Sequence, residues 1–194
     1  GGLADTEAGL DLWRLAALAH ENEQTEALVL SGTAWAELRP KLQEAEHGRR
    51  FTAAWDRFMI EHGHHCRGEL ELFNPRWSER PDYILHLVRG YLSSIDRSSP
   101  LKNQERLASE AEQLAEECRR RLRNPIKRGI FNWALRNARK VADRENWKNE
   151  AIRHMAVFRR ILLELGHKLQ QQGILHERND IFFLEMAELE PVVT

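Results

Sequence analysis

At 194 residues and 42% hydrophobic content the chain is long enough to bury a core, and no apolar stretch approaches the roughly 20 residues a membrane span needs. The 29 Lys and Arg against 30 Asp and Glu leave a net charge of -1, which excludes a global attraction to nucleic acid or anionic lipid, so any basic site is local. Cys66 and Cys118 are too few for a disulfide framework and fit a reducing, cytoplasmic compartment.

Apolar residues recur at three- and four-residue spacing with no sustained alternation, which predicts an all-α fold: an irregular multi-helix domain with a short non-helical segment near the C-terminus. Leu12, Leu15, Ala16 and Ala19 predict a first helix from about Asp5 to His20. Residues 25 to 46 hold further helical material, with Gly32 and Pro40 as expected interruptions. The next helix carries Phe51, Ala54, Trp55, Phe58 and Met59 on one face and is expected to stop at Gly63. After a connection rich in Gly, Asn and Pro, Pro81 suits a first helical turn, and Tyr83, Leu87, Val88 and Tyr91 predict the apolar face that follows. SSIDRSSPLKN reads as a linker. A charged helix is expected from about Asn103 to Arg123, a break at Pro125, and a long run from about Lys127 to Gln172, bent or interrupted near Asn146 and ended by Gly173. DIFFL reads as a short extended or turn-rich piece ahead of a last helical turn. The opening Gly-Gly-Leu and the closing AELEPVVT suggest one helical domain over residues 1–194, cut from a longer multidomain protein.

Two stretches hold candidate chemistry. In HGHHC, His62, His64, His65 and Cys66 are all potential zinc ligands, but adjacent residues point in different directions and no second Cys/His pair stands at a matching distance. No metal site is expected there. In RNARKVADRENWKNEAIRHMAVFRR, Arg136, Lys140, Arg144 and Lys148 stand four residues apart, a stripe of cations if one helix carries them. Arg144 has no acid within helical reach, since its neighbours are Lys140, Val141, Trp147 and Lys148. Its anion is therefore either a carboxylate from another helix or a ligand phosphate, which Arg binds bidentately and Lys assists as a point charge. CRRRLRNPIKRG adds basic residues but follows the acidic ASEAEQLAEE and contains no recognition module, so no nucleic-acid partner is expected.

Three motifs in one order carry a family resemblance. FMIEHGHHCRGELELFNPRWSERPDYIL resembles a segment that in many relatives reads Phe-Leu-x-x-Tyr-Gly-His-Arg, then Gly-Glu, then Pro-Arg-Trp. ARKVADRENWKNEAIRHMAVFRR resembles an Arg-Glu-x-x-Lys helix with a trailing Arg, and NDIFFLEMAEL a closing Asp-Ile-Phe-Phe-Leu motif. The chain thus resembles, from about Leu10 to Leu189, the helical middle domain of phosphoenolpyruvate synthase-like phosphotransferases, the group that includes rifampicin phosphotransferase.

That resemblance implies a parent enzyme in which an ATP-grasp domain, using ATP and Mg2+, charges a histidine on a swivelling domain, and the helical domain binds a small organic acceptor with a hydroxyl. It implies that Arg144 and Lys148 face the phosphohistidine and the acceptor, that Glu145 anchors the helix or orients Lys148, and that Arg153 is the trailing Arg. His64, Gly68 and Glu69 fall on the loop motif, which leaves His64 and Glu69 as either pocket residues or structural ones. The sequence departs from the motif at His62, where Tyr is usual, at His65, where Arg is usual, and at Arg67, where Pro is common. The chain has neither a glycine-rich nucleotide segment nor a Gly-Gly-x-x-Ser-His stretch. It is expected to bind no cofactor and to be inactive alone, with a scaffold or regulatory role as the alternative. No membrane partner is expected.

Overall fold

The structure, a computed structural model, describes residues 3–94, 100–142, 145–185 and 187–188. Helices α1 (Leu3–His20), α2 (Glu23–Leu30), α3 (Trp35–Gln43), α4 (Glu46–His62) and α5 (Pro81–Leu92) precede α6 (Pro100–Arg121), α7 (Pro125–Ala142) and α8 (Glu145–Gln171). Short 3-10 turns lie at Trp77–Glu79 and Arg178–Phe183, and no strand occurs among the described residues, so the protein is all-α. No helix among them is long and apolar enough to cross a membrane.

The core sits among the first five helices. Leu12, Leu15, Ala16 and Ala19 of α1 meet Phe51, Trp55 and Phe58 of α4 and Ile84, Leu85, Val88 and Leu92 of α5. Trp35 of α3 stacks on Trp55, with centroids 3.9 Å apart. Pro40 does not interrupt the chain but lies inside α3. A helix-interior proline costs about 3 kcal/mol, while burying Trp35, Leu38 and Leu42 returns roughly 1.5–3 kcal/mol each. Gly32, at φ +78°, does break the helical run. Pro125 likewise opens α7 rather than only ending α6, which suits its fixed φ and missing N–H.

The buried face of α5 is Ile84, Leu85, Val88 and Leu92; of the expected face Val88 is buried, Leu87 and Tyr91 pack half-buried at its edge, and Tyr83 is exposed. Two long-range polar ties set that rotation. Asp82 accepts a 2.6 Å bond from the Trp35 N–H, and Arg89 donates to the Val29 and Thr33 carbonyls at 2.7 and 2.6 Å. The run from 127 to 172 is described as two helices, α7 and α8, on either side of residues 143 and 144, close to the interruption expected near Asn146. Arg136 and Lys140 lie on α7 and Lys148 on α8, while Arg144, the remaining cation of the expected stripe, lies outside the described residues. DIFFL falls in the 3-10 turn Arg178–Phe183 and in Leu184, which follows it in extended conformation.

Gly166 lets the Arg178–Phe183 turn lie directly on α8, since a Cβ there would stand 2.2 Å from the Arg178 carbonyl oxygen. Backbone cannot swing aside as a flexible side chain can. Gly166→Ala is expected to cost about 1–3 kcal/mol, the usual range for overpacking, and urea denaturation of the two proteins measures it. An unchanged midpoint would contradict this close approach.

Candidate functional site

The connection between α4 and α5 is a built loop. The Trp77 N–H donates to the His65 carbonyl at 2.8 Å and the Ser78 N–H to the Gly63 carbonyl at 3.0 Å, folding the segment back on itself. Gly68 adopts φ +70°, a left-handed conformation that side chains disfavour, and the Asn74 amide bonds the Arg67 carbonyl at 2.8 Å across the turn. Inside the loop the buried Arg76 donates to the Glu69 carbonyl and to the Cys66 sulfur, 3.0 and 2.6 Å away. Burial nevertheless pushes the Cys66 thiol above its ordinary range, outweighing the Arg76 charge.

Helix α8 is clamped to this loop by Arg159. Its Nε and Nη2 each donate to one Glu79 carboxylate oxygen at 2.8 Å, its Nη1 donates to the Leu72 and Phe73 carbonyls, and its guanidinium lies 4.9 Å from the Phe182 ring centroid. Burial alone would raise the Glu79 carboxyl, but the Arg159 bonds and the Arg76 N–H hold it below the usual carboxylate range.

The clamp brings several sequence-predicted residues together. Lys148 Nζ lies 3.1 Å from Glu69 Oε2, and His65 Nδ1 lies 2.7 Å from Glu69 Oε1. Against the effect of burial, these two partners lower the Glu69 carboxyl. The Nε2 of His64 meets Asn149 Oδ1 at 2.5 Å, which ties the loop to the first turns of α8. Burial holds the His64 imidazole below its ordinary value; the Asn149 bond opposes this, while the charges of His65 and Arg153 add to it. His64 and Arg153 line one cleft of about 320 Å3. Arg144 lies outside the described residues, as does the side chain of Glu145, whose backbone opens α8.

The four side chains of HGHHC go to four partners: His62 to Asp11 at 2.9 Å, His64 to Asn149, His65 to Glu69 and Cys66 to Arg76. One group among the described residues, Asp11, Glu61 and His62, brings possible ligand atoms within 4.8 Å of one another, but Asp11 is also held by Arg14 at 2.7 Å. Stripping metals with a chelator is expected to leave the melting temperature unchanged. A fall of several degrees, reversed by zinc, would overturn that expectation.

Sequence reasoning missed Arg159, Arg76, Asn149, Arg160 and Arg178. A signal for Arg159 existed in the spacing. Ile152, Arg159, Gly166 and Leu169 are the buried positions among the described side chains of α8, and the first three lie seven residues apart.

Glu69, Glu79 and His64 all have lowered folded-state values, which sets the direction of the acid response. A group depressed on folding contributes stability above its unfolded value and loses it as pH falls through the folded one. Stability is therefore expected to decline first below about pH 6.5 through His64 and again below about pH 4.5 through the two carboxylates. Urea midpoints measured from pH 7 to 3 test this, and His64→Gln should remove the first decline only.

The profile of the rifampicin phosphotransferase fourth domain matches residues 1–145. The rifampicin phosphotransferase of Bacillus cereus is 28% identical over 79% of this chain and 18% of its own length, and that of Streptomyces sviceus 24% identical over 99% and 23%. The prodigiosin synthesizing transferase PigC of Serratia marcescens is 30% identical over 61% of the chain and 13% of its own length. The chain thus spans about a fifth of the length of the two rifampicin phosphotransferases. With three quarters of its residues matched by that one profile, this all-α chain belongs to the rifampicin phosphotransferase fourth-domain family.

Proposed function

We propose that the chain is the acceptor-binding helical domain of an ATP-dependent phosphotransferase that works through a phosphohistidine. The observation that carries this reading is the meeting of α8 with the 63–79 loop: Lys148 pairs with Glu69, and Arg153 lines a cleft with His64. In the proposed step the acceptor oxygen bonds to phosphorus as the bond to the carrier imidazole nitrogen breaks, the nitrogen keeping the electron pair and taking up, directly or through solvent, the proton that the hydroxyl loses. Such a transfer needs the acceptor oxygen in line with the leaving imidazole nitrogen and positive charge around the phosphoryl group more than covalent help. Lys148 supplies that charge, with Arg144 beside it as the Arg-Glu-x-x-Lys motif implies. Glu69 and Glu145 orient the ammonium, and His64 and Arg153 hold the acceptor. The ATP-grasp and phosphohistidine domains, with their ATP and Mg2+, belong to the parent chain.

One observation favours the alternative of a scaffold. Lys148 is already paired, and a paired lysine can serve structure alone. A label chase decides between them. The full-length parent is charged with radiolabelled ATP and offered hydroxyl compounds, and label should leave the protein only with an acceptor. Arg153→Gln should slow that discharge and leave charging untouched. Wild-type discharge in both Arg153→Gln and Lys148→Ala would sink the acceptor-binding reading.

A further inference from the structure

The cleft lined by His64 and Arg153 runs along α8 beside both 3-10 turns, and it is unusually rich in guanidinium groups. Arg153 and Arg160, seven residues apart on one face of α8, line it together with Arg178 from the second turn. None of the three makes a hydrogen bond or ion pair with a described residue. Two acids share the cleft. Glu79 is bonded through both oxygens to Arg159 and also feels the Arg178 charge, and Glu164 stands one helical turn from Arg160 without pairing to it. With Glu79 engaged by Arg159, three guanidinium groups against Glu164 leave the concavity an excess of positive charge that an entering anion would offset, and guanidinium groups match a carboxylate or phosphate through two parallel bonds. The rest of the wall includes Val157 and Leu163, which suit an apolar body. His64 adds a polar contact of a different kind: with Nε2 donating to Asn149, its Nδ1 carries the lone pair that can accept from a hydroxyl.

We infer that this cleft takes an acceptor bearing a carboxylate as well as a hydroxyl, its anionic end held by Arg153, Arg160 and Arg178. The inference rests on the acceptor-binding reading and narrows it to small hydroxy acids with an apolar body. At about 320 Å3 the cleft lies at the small end of ligand pockets.

The test is calorimetric titration of the chain with 4-hydroxybenzoate, with its neutral analogue 4-hydroxybenzamide, and with inorganic phosphate. The acid should bind at least about tenfold tighter than the amide, as expected when charge-assisted hydrogen bonds are added. Arg160→Gln and Arg178→Gln, both at exposed positions, should shrink that difference, and Arg160→Lys should retain part of it, all with unchanged melting temperatures. Equal binding of acid and amide, no binding of the acid, or indifference to both Gln substitutions would each overturn the inference. Phosphate binding tighter than 4-hydroxybenzoate would overturn it too, by assigning the arginines to the transferred group. Failure here is separable from failure of the function proposed above, because a label chase that succeeds with a neutral hydroxyl compound leaves that function standing.

Discussion

Arg159→Ala is expected to destabilise the protein by about 3 kcal/mol, the low end of what breaking a buried ion pair costs. The Arg159 side chain is only 4% exposed and that of Glu79 is 30% exposed, so water can partly rescue the abandoned carboxylate but not the buried packing. The substitution removes both bonds to Glu79, leaves the Leu72 and Phe73 carbonyls without this donor, and takes the cation from beside Phe182. Since these contacts join α8, the 63–79 loop and the last 3-10 turn, the cost should appear as loosening of all three. Urea denaturation supplies the magnitude, and hydrogen exchange at residues 63–79 and 178–183 locates it. A loss below about 1 kcal/mol would place Arg159 with surface pairs rather than buried ones.

Under the proposed function, Lys148→Ala and Arg144→Ala in the full-length parent are each expected to slow transfer to the acceptor by about a hundredfold or more, while charging of the carrier histidine continues. Removing one charged contact to a transition state typically costs about 3 kcal/mol. Stability should barely move for Lys148→Ala. The Lys148 side chain is 55% exposed, and a pair of that kind contributes about 1 kcal/mol at most. Glu69→Gln is the informative companion, because it should leave the ammonium present but poorly oriented and give an intermediate rate. Single-turnover discharge of the labelled carrier separates the two steps. If Lys148→Ala instead lowers the melting temperature steeply and leaves discharge intact, the lysine is a structural strut and the scaffold reading holds.

Local rules reached part of the site and stopped at a definite place. Arg144 stands out because its own helical neighbours offer no acid, and Lys148 because it follows Arg136, Lys140 and Arg144 at four-residue spacing and closes the Arg-Glu-x-x-Lys motif. The partner that Lys148 finds is Glu69, on a different element and 79 residues earlier, which no rule of helical spacing can reach. Likewise Arg153 and Arg160 look like ordinary solvated charges on a long helix until Arg178 and His64 close the other side of the cleft.

Helical periodicity made α1 and α4 legible, because their apolar stripes are wide and the same side chains that mark the stripe fill the core, as Leu12, Leu15, Phe51, Trp55 and Phe58 do. Gly32 and Gly173 were readable as breaks for a related reason: each adopts positive φ, a local backbone demand that does not depend on the rest of the fold. Helicity, these breaks and the order of the family motifs were determined by the sequence itself. The rotation of α5, the helical Pro40, the burial of Arg76 and Arg159, and the grouping of arginines around His64 were decided only by tertiary structure. For the rotation of α5 and the burial of Arg159 the deciding energy comes from contacts between distant residues, Asp82 with the Trp35 N–H and Arg159 with Glu79, and it outweighs the preference of the local segment.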